Sequence, residues 1–364
     1  MPNVDMEPQQ VAEVEKEPGF FDPAHPLAHI GRKIFIGLTL LVGVILYYVA
    51  RYSKGREIVV TFLHLAPQLV LLMLVVEVLY FVIQGICFQQ VYLMVGFKRS
   101  VWYLSLLYVC MNLVNTLAPV IGISGTLYMM HVERGKIERP EAMLINFLYY
   151  LNDYLVFLFL LCTALVYLLI IGQITRIVIA TSLAFALFVL GIGALGIFLL
   201  SHPTAFHRIV HWVNRLLHRI GGRRPAHRLE QRINQFVDDS QEVWRRSRSS
   251  WQYLLRGSFA AIFLHVSCML LLMLAFLAVN APFTLQTLLA GYTVGTILNT
   301  VSPTPAGIGI SEGGMTAVFA ALGVSVEQAL LVTLLYRAVF IWFPLVLGLG
   351  ALHLLPTLEE PAAA

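Results

Sequence analysis

The sequence predicts an all-α polytopic membrane protein, with about six spanning helices and two oppositely inserted re-entrant helical hairpins in an inverted repeat. Three observations carry this. The chain of 364 residues is 59% apolar and 12% charged, where soluble domains run at about 45–50% and about 25%. Its apolar residues include several stretches of 17 or more, each long enough to cross a bilayer as a helix. Two of those stretches are broken by Pro and Gly at related positions. This composition excludes a purely soluble protein, a disordered chain and a disulfide-rich module, and an outer-membrane barrel would show alternating strands instead.

Residues 1–30 are polar, acidic and Pro-rich, which fits a mobile tail and not a secretory signal. A first membrane half follows over 31–200. Its apolar stretches are 34–50, 62–95, 100–118, 120–131, 142–171 and 174–200. The stretch 120–131 would make only about 18 Å of helix against about 30 Å of hydrocarbon. With 100–118 it forms a re-entrant hairpin over about 100–131, a break tolerated only where protein or a wet cavity satisfies the backbone.

Residues 201–256 hold 11 of the 19 Arg and no Lys, against Glu230, Asp238, Asp239 and Glu242. A cytoplasmic loop obeying the positive-inside rule has this character, and binding of anionic lipid headgroups is a natural addition. Phe206, Ile209, Val210, Val213, Leu216, Leu217 and Ile220 repeat at helical spacing, which predicts an amphipathic helix on the inner surface. A second, more polar helix is expected from about 226 to 250, after the Gly221-Gly222 break. No recognition motif accompanies the charge, so no nucleic-acid partner is expected.

The second membrane half, 257–355, has apolar stretches 257–279, 283–302, 304–322 and 327–353, with a hairpin over about 283–322 and a short tail at 356–364. It repeats the first. Asn115-Thr-Leu-Ala-Pro119 matches Asn299-Thr-Val-Ser-Pro303 at an offset of 184. Gly122-Ile-Ser124 matches Gly309-Ile-Ser311. Glu141 and Tyr150 match Glu327 and Tyr336 at an offset of 186. With the Arg-rich loop inside, charge places both termini in the cytoplasm, and only Arg51, Lys54 and Arg56 fall on the wrong side. Three crossings separate the repeats, so they are inverted, the architecture of secondary transporters.

No metal-ligand cluster, phosphate loop or nucleophile motif is present, so no cofactor, metal or enzymatic chemistry is expected. Cys87, Cys110, Cys162 and Cys268 lack ligand or disulfide spacing and read as buried thiols. His64 and His265 sit singly in spanning helices and read as hydrogen-bonded interior residues. The informative residues are ionisable groups at depth, since a charge at a helix centre costs about 2.5–3.5 kcal/mol unless partnered. Glu312 and Arg337 make the obvious pair, a structural tie or a headgroup site. Glu77, Asp153 and Glu312 are candidates for proton coupling. Asn115, Thr116, Asn299, Thr300, Ser302 and Tyr336 gather near the hairpin tips, where broken helix ends present unpaired backbone groups to a substrate.

Pro303-Thr-Pro305-Ala-Gly307-Ile-Gly309-Ile-Ser-Glu312-Gly313, then Leu335-Tyr336-Arg337 and Pro344-Leu-Val-Leu-Gly348, resembles the signature of the lysylphosphatidylglycerol synthase transmembrane region, the flippase-like integral membrane protein family. The resemblance spans roughly residues 30–355. It implies a flippase-like translocator of an anionic or zwitterionic phospholipid, or of a polyprenyl-linked lipid, in the plasma membrane of a prokaryote. Glu312 and Arg337 match the family's second-half Glu and Arg. Ser311 replaces a common Arg, Gly125 a usual Glu, and Tyr149 and Tyr150 a common Glu-Arg pair, while Asp153 is kept. Neither the soluble aminoacyl-transferring domain of fused members nor lysyl-lipid synthesis is expected of this sequence. The alternatives are a secondary transporter of a small solute or ion, or a non-transporting subunit of a glycolipid-assembly pathway. Membrane lipids are the expected partners, and a homo-oligomer is compatible with the sequence.

Overall fold

The computed structural model describes residues 66–117, 123–172, 176–202, 226–302, 304 and 307–355. All lie in one compact unit, Glu57–Ala364. The described residues contain no strand. The expected span at 34–50, the tails at 1–30 and 356–364, the amphipathic helix at 206–220 and His64 lie outside them.

Helix α1 (Pro67–Val95) starts with Pro at its first position and stops at Gly96, whose φ of 108° lets its N–H reach back to the last carbonyls. Then come α2 (Val101–Leu117), α3 (Ile123–Val132), α4 (Arg139–Ile170), α5 (Arg176–Ser201), α6 (Ala226–Ser247), α7 (Gln252–Ala278), α8 (Leu285–Val301), α9 (Ile310–Ala321) and α10 (Val326–Leu354). The expected polar helix at 226–250 is α6, extended by a 3₁₀ turn at Arg248–Ser250. Its buried positions Val237, Ser240, Val243 and Ser247 form one stripe, while Arg245 and Arg246 stay exposed.

Helices α1, α4, α7 and α10 and the segment Ser182–Ser201 of α5 are long and apolar enough to span a bilayer. Their outer faces stay apolar: Leu71, Val75 and Leu79 on α1, and Leu183, Leu187 and Leu190 on α5, are exposed. Water would penalise such faces, whereas lipid tails do not. The protein is a multi-pass α-helical membrane protein. Helix α7 begins five residues earlier than its apolar stretch, because Gln252–Arg256 continue the helix beyond the apolar core.

Over the two segments expected as hairpins the structure has short helices in contact, α2 with α3 and α8 with α9. Glycine sets both pairings. A Cβ at Gly125 would sit 2.7 Å from the Asn115 amide and 2.9 Å from the Met111 carbonyl. On the second pair, Gly291 receives Phe319, Gly295 receives Met315, and Gly314 receives Leu298. Helix α9 starts at Ile310, later than its apolar stretch, because Gly307 and Gly309 turn the chain through positive φ of 66° and 87°. Beyond α3, the fully buried Glu133 accepts hydrogen bonds from Arg99 (3.0 Å) and Tyr103 (2.9 Å), tying the start of α2 to the end of α3.

Helices α1 and α7 share the most extensive interface among the described helices. Their backbones come close where Cys87 Sγ lies 3.7 Å from the Gly257 carbonyl. Cys87, Cys110 and Cys268 are buried as expected, but Cys162 is exposed. The correction follows from the environment, since a lipid-facing stripe is as apolar as a core-facing one and composition alone does not separate them.

Candidate functional site

A cavity of about 320 Å³ lies among six of the described helices and the Met315 side chain of α9. Its walls are Tyr80, Phe81 and Gln84 of α1; Tyr108, Asn112, Asn115 and Thr116 of α2; and Tyr150, Asp153 and Tyr154 of α4. Facing them are Leu264, His265 and Cys268 of α7; Tyr292, Gly295, Thr296, Asn299 and Thr300 of α8; and Tyr336, Arg337, Phe340 and Ile341 of α10. On each helix these positions recur every three or four residues, so each helix presents one stripe.

The stripes are related. At an offset of 184, Tyr80, Phe81 and Gln84 pair with Leu264, His265 and Cys268, and Tyr108, Asn112, Asn115 and Thr116 pair with Tyr292, Thr296, Asn299 and Thr300. At an offset of 186, Tyr150 and Tyr154 pair with Tyr336 and Phe340. Side-chain geometry follows the pairing. Thr116 and Thr300 each return their hydroxyl to the carbonyl four residues earlier, at 2.9 Å. Tyr150 engages Asn115 and Tyr154 engages Thr300, so neighbouring turns of α4 touch both short-helix pairs.

Arg337 is 3% exposed and donates from Nε to Glu312 Oε1 at 2.8 Å and from Nη1 to Asn299 Oδ1 at 3.3 Å. The other Glu312 oxygen accepts the Gly309 N–H at 2.6 Å. A carboxylate in the first turn of a helix satisfies an orphan N–H and meets the positive end of the helix dipole. Glu312 therefore caps α9 and holds Arg337 at the cavity wall without lining the cavity itself. Among the described residues of the first half, no ion pair stands at the corresponding place. There Asn115 Oδ1 accepts the Gly125 N–H at 2.6 Å, and Gly125 offers no carboxylate. Ser302 lies in the turn after α8, 2.8 Å from the Thr304 hydroxyl, and does not line the cavity. Glu77 is fully buried, and neither carboxylate oxygen finds a hydrogen-bond partner among the described residues. It lies on α1 outside the cavity lining, one turn before Tyr80.

Of the residues singled out from the sequence, Asn115, Thr116, Asp153, Asn299, Thr300, Tyr336 and Arg337 come together at the cavity. His265, expected as a hydrogen-bonded interior residue, is one: its Nδ1 meets Tyr292 Oη while Nε2 lies 3.6 Å from Asp153 Oδ1, and what the sequence did not show is that it lines the cavity. Sequence reasoning missed Tyr80, Tyr108, Tyr154 and Tyr292. The signal was present: the 184 offset runs back from Asn115 and Asn299 to Tyr108 and Tyr292, and on to Phe81 and His265. Among the described residues no group of three His, Cys, Asp or Glu is placed to hold a metal.

The family model for the lysylphosphatidylglycerol synthase TM region matches residues 34–348. The chain belongs to that family. Comparison with curated proteins finds no match. The match to the lysylphosphatidylglycerol synthase transmembrane region encloses every cavity-lining residue, from Tyr80 to Ile341. The family's shared framework and the cavity therefore occupy the same part of the chain.

Proposed function

We propose that the chain is a flippase-like lipid translocator. The observation that carries this is the cavity wall, assembled from equivalent positions of two halves of one chain. Inverted repeats that meet at a central site can expose it alternately to either side of a bilayer by rocking one half against the other. In this reading the α2–α3 and α8–α9 pairs are re-entrant hairpins entering from opposite faces. An anionic or zwitterionic headgroup sits by Asn115, Thr116, Asn299, Thr300, Tyr336 and Arg337. Glu312 and Ser302 hold the second tip, and the acyl or polyprenyl tails stay in the bilayer.

Asp153, Glu77 and Glu312 are the acids through which a proton gradient would couple to movement, because a carboxylate at depth needs a cation or a proton. The chain acts by moving its ligand and not by covalent chemistry. The reading places it in the plasma membrane of a prokaryote with both termini cytoplasmic. The Arg-rich 201–256 segment lies against anionic headgroups there.

Purified chain reconstituted into vesicles with acyl-labelled phospholipid tests the reading. Outer-leaflet quenching should reveal lipid exchange well above protein-free vesicles, and Arg337→Ala should slow it at least about tenfold, the effect of about 1.4 kcal/mol. Exchange equal to empty vesicles for all lipids would remove the function, and exchange unchanged by Arg337→Ala would remove the site.

A further inference from the structure

We infer that His265 and Asp153 form one proton-binding unit between the two halves of the chain, and that its loading and emptying couple a proton gradient to lipid movement. This rests on the translocator reading and names the group that drives it.

The first argument is placement. Glu312 has both oxygens engaged, by Gly309 and Arg337, and Glu77 lies outside the cavity lining. Asp153 lines the cavity with its side chain 23% exposed, beside the 4% exposed imidazole of His265. Asp153 on α4 precedes the Arg-rich segment and His265 on α7 follows it, so the pair joins the two halves. At offsets of 184 and 186 the corresponding residues are Phe81 and Val339, which hold no proton. The pair is therefore no part of the framework that the halves share.

The second argument is that the ring keeps its partners in both charge states. Nε2 faces the Asp153 carbonyl at 3.4 Å and Oδ1 at 3.6 Å. Both oxygens are acceptors when the carboxylate is ionised, so Nε2 carries the hydrogen of the neutral ring. Nδ1 lies 2.5 Å from Tyr292 Oη, which then donates to it. When Nδ1 takes a proton the same oxygen accepts instead, and turns its own hydrogen to Thr296, with which it is also engaged. The proton comes from solvent along this row. Tyr292 passes its O–H hydrogen to Nδ1 and takes a replacement from Thr296, which lines the cavity and is refilled from water. One N–H bond forms and each hydroxyl is remade. Release runs the same steps backward once the cavity faces the other side.

The third argument is charge. With the ring neutral, Asp153 and Glu312 bring two negative charges against the one positive charge of Arg337. One proton on the unit balances them, at a depth where unbalanced charge is costly. An imidazole is the side chain suited to changing charge between about pH 5 and pH 8. The other titratable or charged groups turned toward this part of α7 are Cys268 on the same helix, Glu77 and Tyr80 of α1, Tyr150 and Tyr154 of α4, and Tyr336 and Arg337 of α10. Asp153 and Tyr292 are the partners at the ring itself.

The full chain in vesicles with acyl-labelled phospholipid, under an imposed difference of about one pH unit, provides the test. One proton per lipid should shift the steady leaflet ratio of the label by up to about tenfold. In His265→Gln and Tyr292→Phe the ratio should not respond to the pH difference. Tyr292→Phe keeps a ring against Phe157, so the test stays decisive if His265→Gln does not fold. A second readout needs no transport. The chain in detergent, stepped from about pH 8 to about pH 5 beside an indicator dye, should take up about one proton more than His265→Gln or Asp153→Asn. Wild-type exchange that ignores the pH difference, or a folded His265→Gln that keeps the wild-type shift, would overturn the assignment. So would equal proton uptake in the wild type and both variants, which is what a purely structural histidine gives. The extra proton in a wild type that exchanges no lipid would instead remove the translocator reading and leave the proton site standing.

Discussion

Glu312 uses both of its oxygens, one on the Gly309 N–H and one on Arg337, and this double use makes it the residue whose loss should be felt first. Glu312→Gln keeps the shape but takes from the guanidinium of a 3% exposed arginine the counter-charge that Glu312 supplies. Removing one partner of a buried pair costs roughly 3 kcal/mol, so the melting temperature in detergent should fall by several degrees. A melting temperature unchanged from wild type would show that the pair does not hold α9 to α10. The pairing of Glu312 with Arg337 was legible in the sequence because two lone charges in adjacent apolar segments need one another. The capping role was not, because it depends on where α9 begins, and that is set by the positive φ of Gly309. Asp153 was legible as a charge at depth, whereas its histidine neighbour was hidden on another helix more than a hundred residues away.

At the scale of elements, the short-helix pairs close by glycine contact, and the sequence marked their breaks at Pro and Gly without showing how tightly the legs fit. Gly125 is the clearest test. A side chain there meets the Met111 carbonyl, which belongs to a helix backbone and cannot move aside cheaply. Gly125→Val should therefore force α3 off α2 and lower stability by about 1–3 kcal/mol. Gly313 has nothing within 4 Å of a Cβ, so Gly313→Ala should leave stability equal or slightly raised. Equal melting temperatures for the two variants would refute the close-packing account. Helix boundaries at polar ends, as at Gln252 of α7, were less legible because a helix continues past the apolar stretch wherever its hydrogen bonds are still made.

For the whole molecule, the alternation of apolar stretches and Arg-rich loop makes a topological prediction. In a chain freed of its native cysteines, Lys136→Cys before α4 and Arg248→Cys after α6 should react with a membrane-impermeant thiol reagent from one side. Gly172→Cys after α4 and Asn280→Cys after α7 should react from the other. Labelling of Lys136→Cys and Gly172→Cys from the same side would mean that α4 does not cross, and the inverted repeat would fall with it. The sequence match between the halves was legible at a few residues near the two tips. Its reach along the cavity lining was not, because Leu264 and Tyr80, or His265 and Phe81, line one cavity at the same offset but share little chemistry.

The π-helical turn at Ala338–Trp342 follows Arg337 directly. Such a turn holds one more residue than the α-helix would, so it acts as a phase shifter within α10. Upstream, Tyr336 and Arg337 keep their aim at the cavity, and downstream Gly348 packs on Leu113 of α2. Rewinding it to an α-helix would turn one part of α10 against the other by about 100° and slide it by about 1.5 Å. The helix that carries the buried arginine thus keeps its two ends in phase through one extra residue, and deleting one residue between Ala338 and Trp342 should swing either Arg337 off the cavity or Gly348 off Leu113.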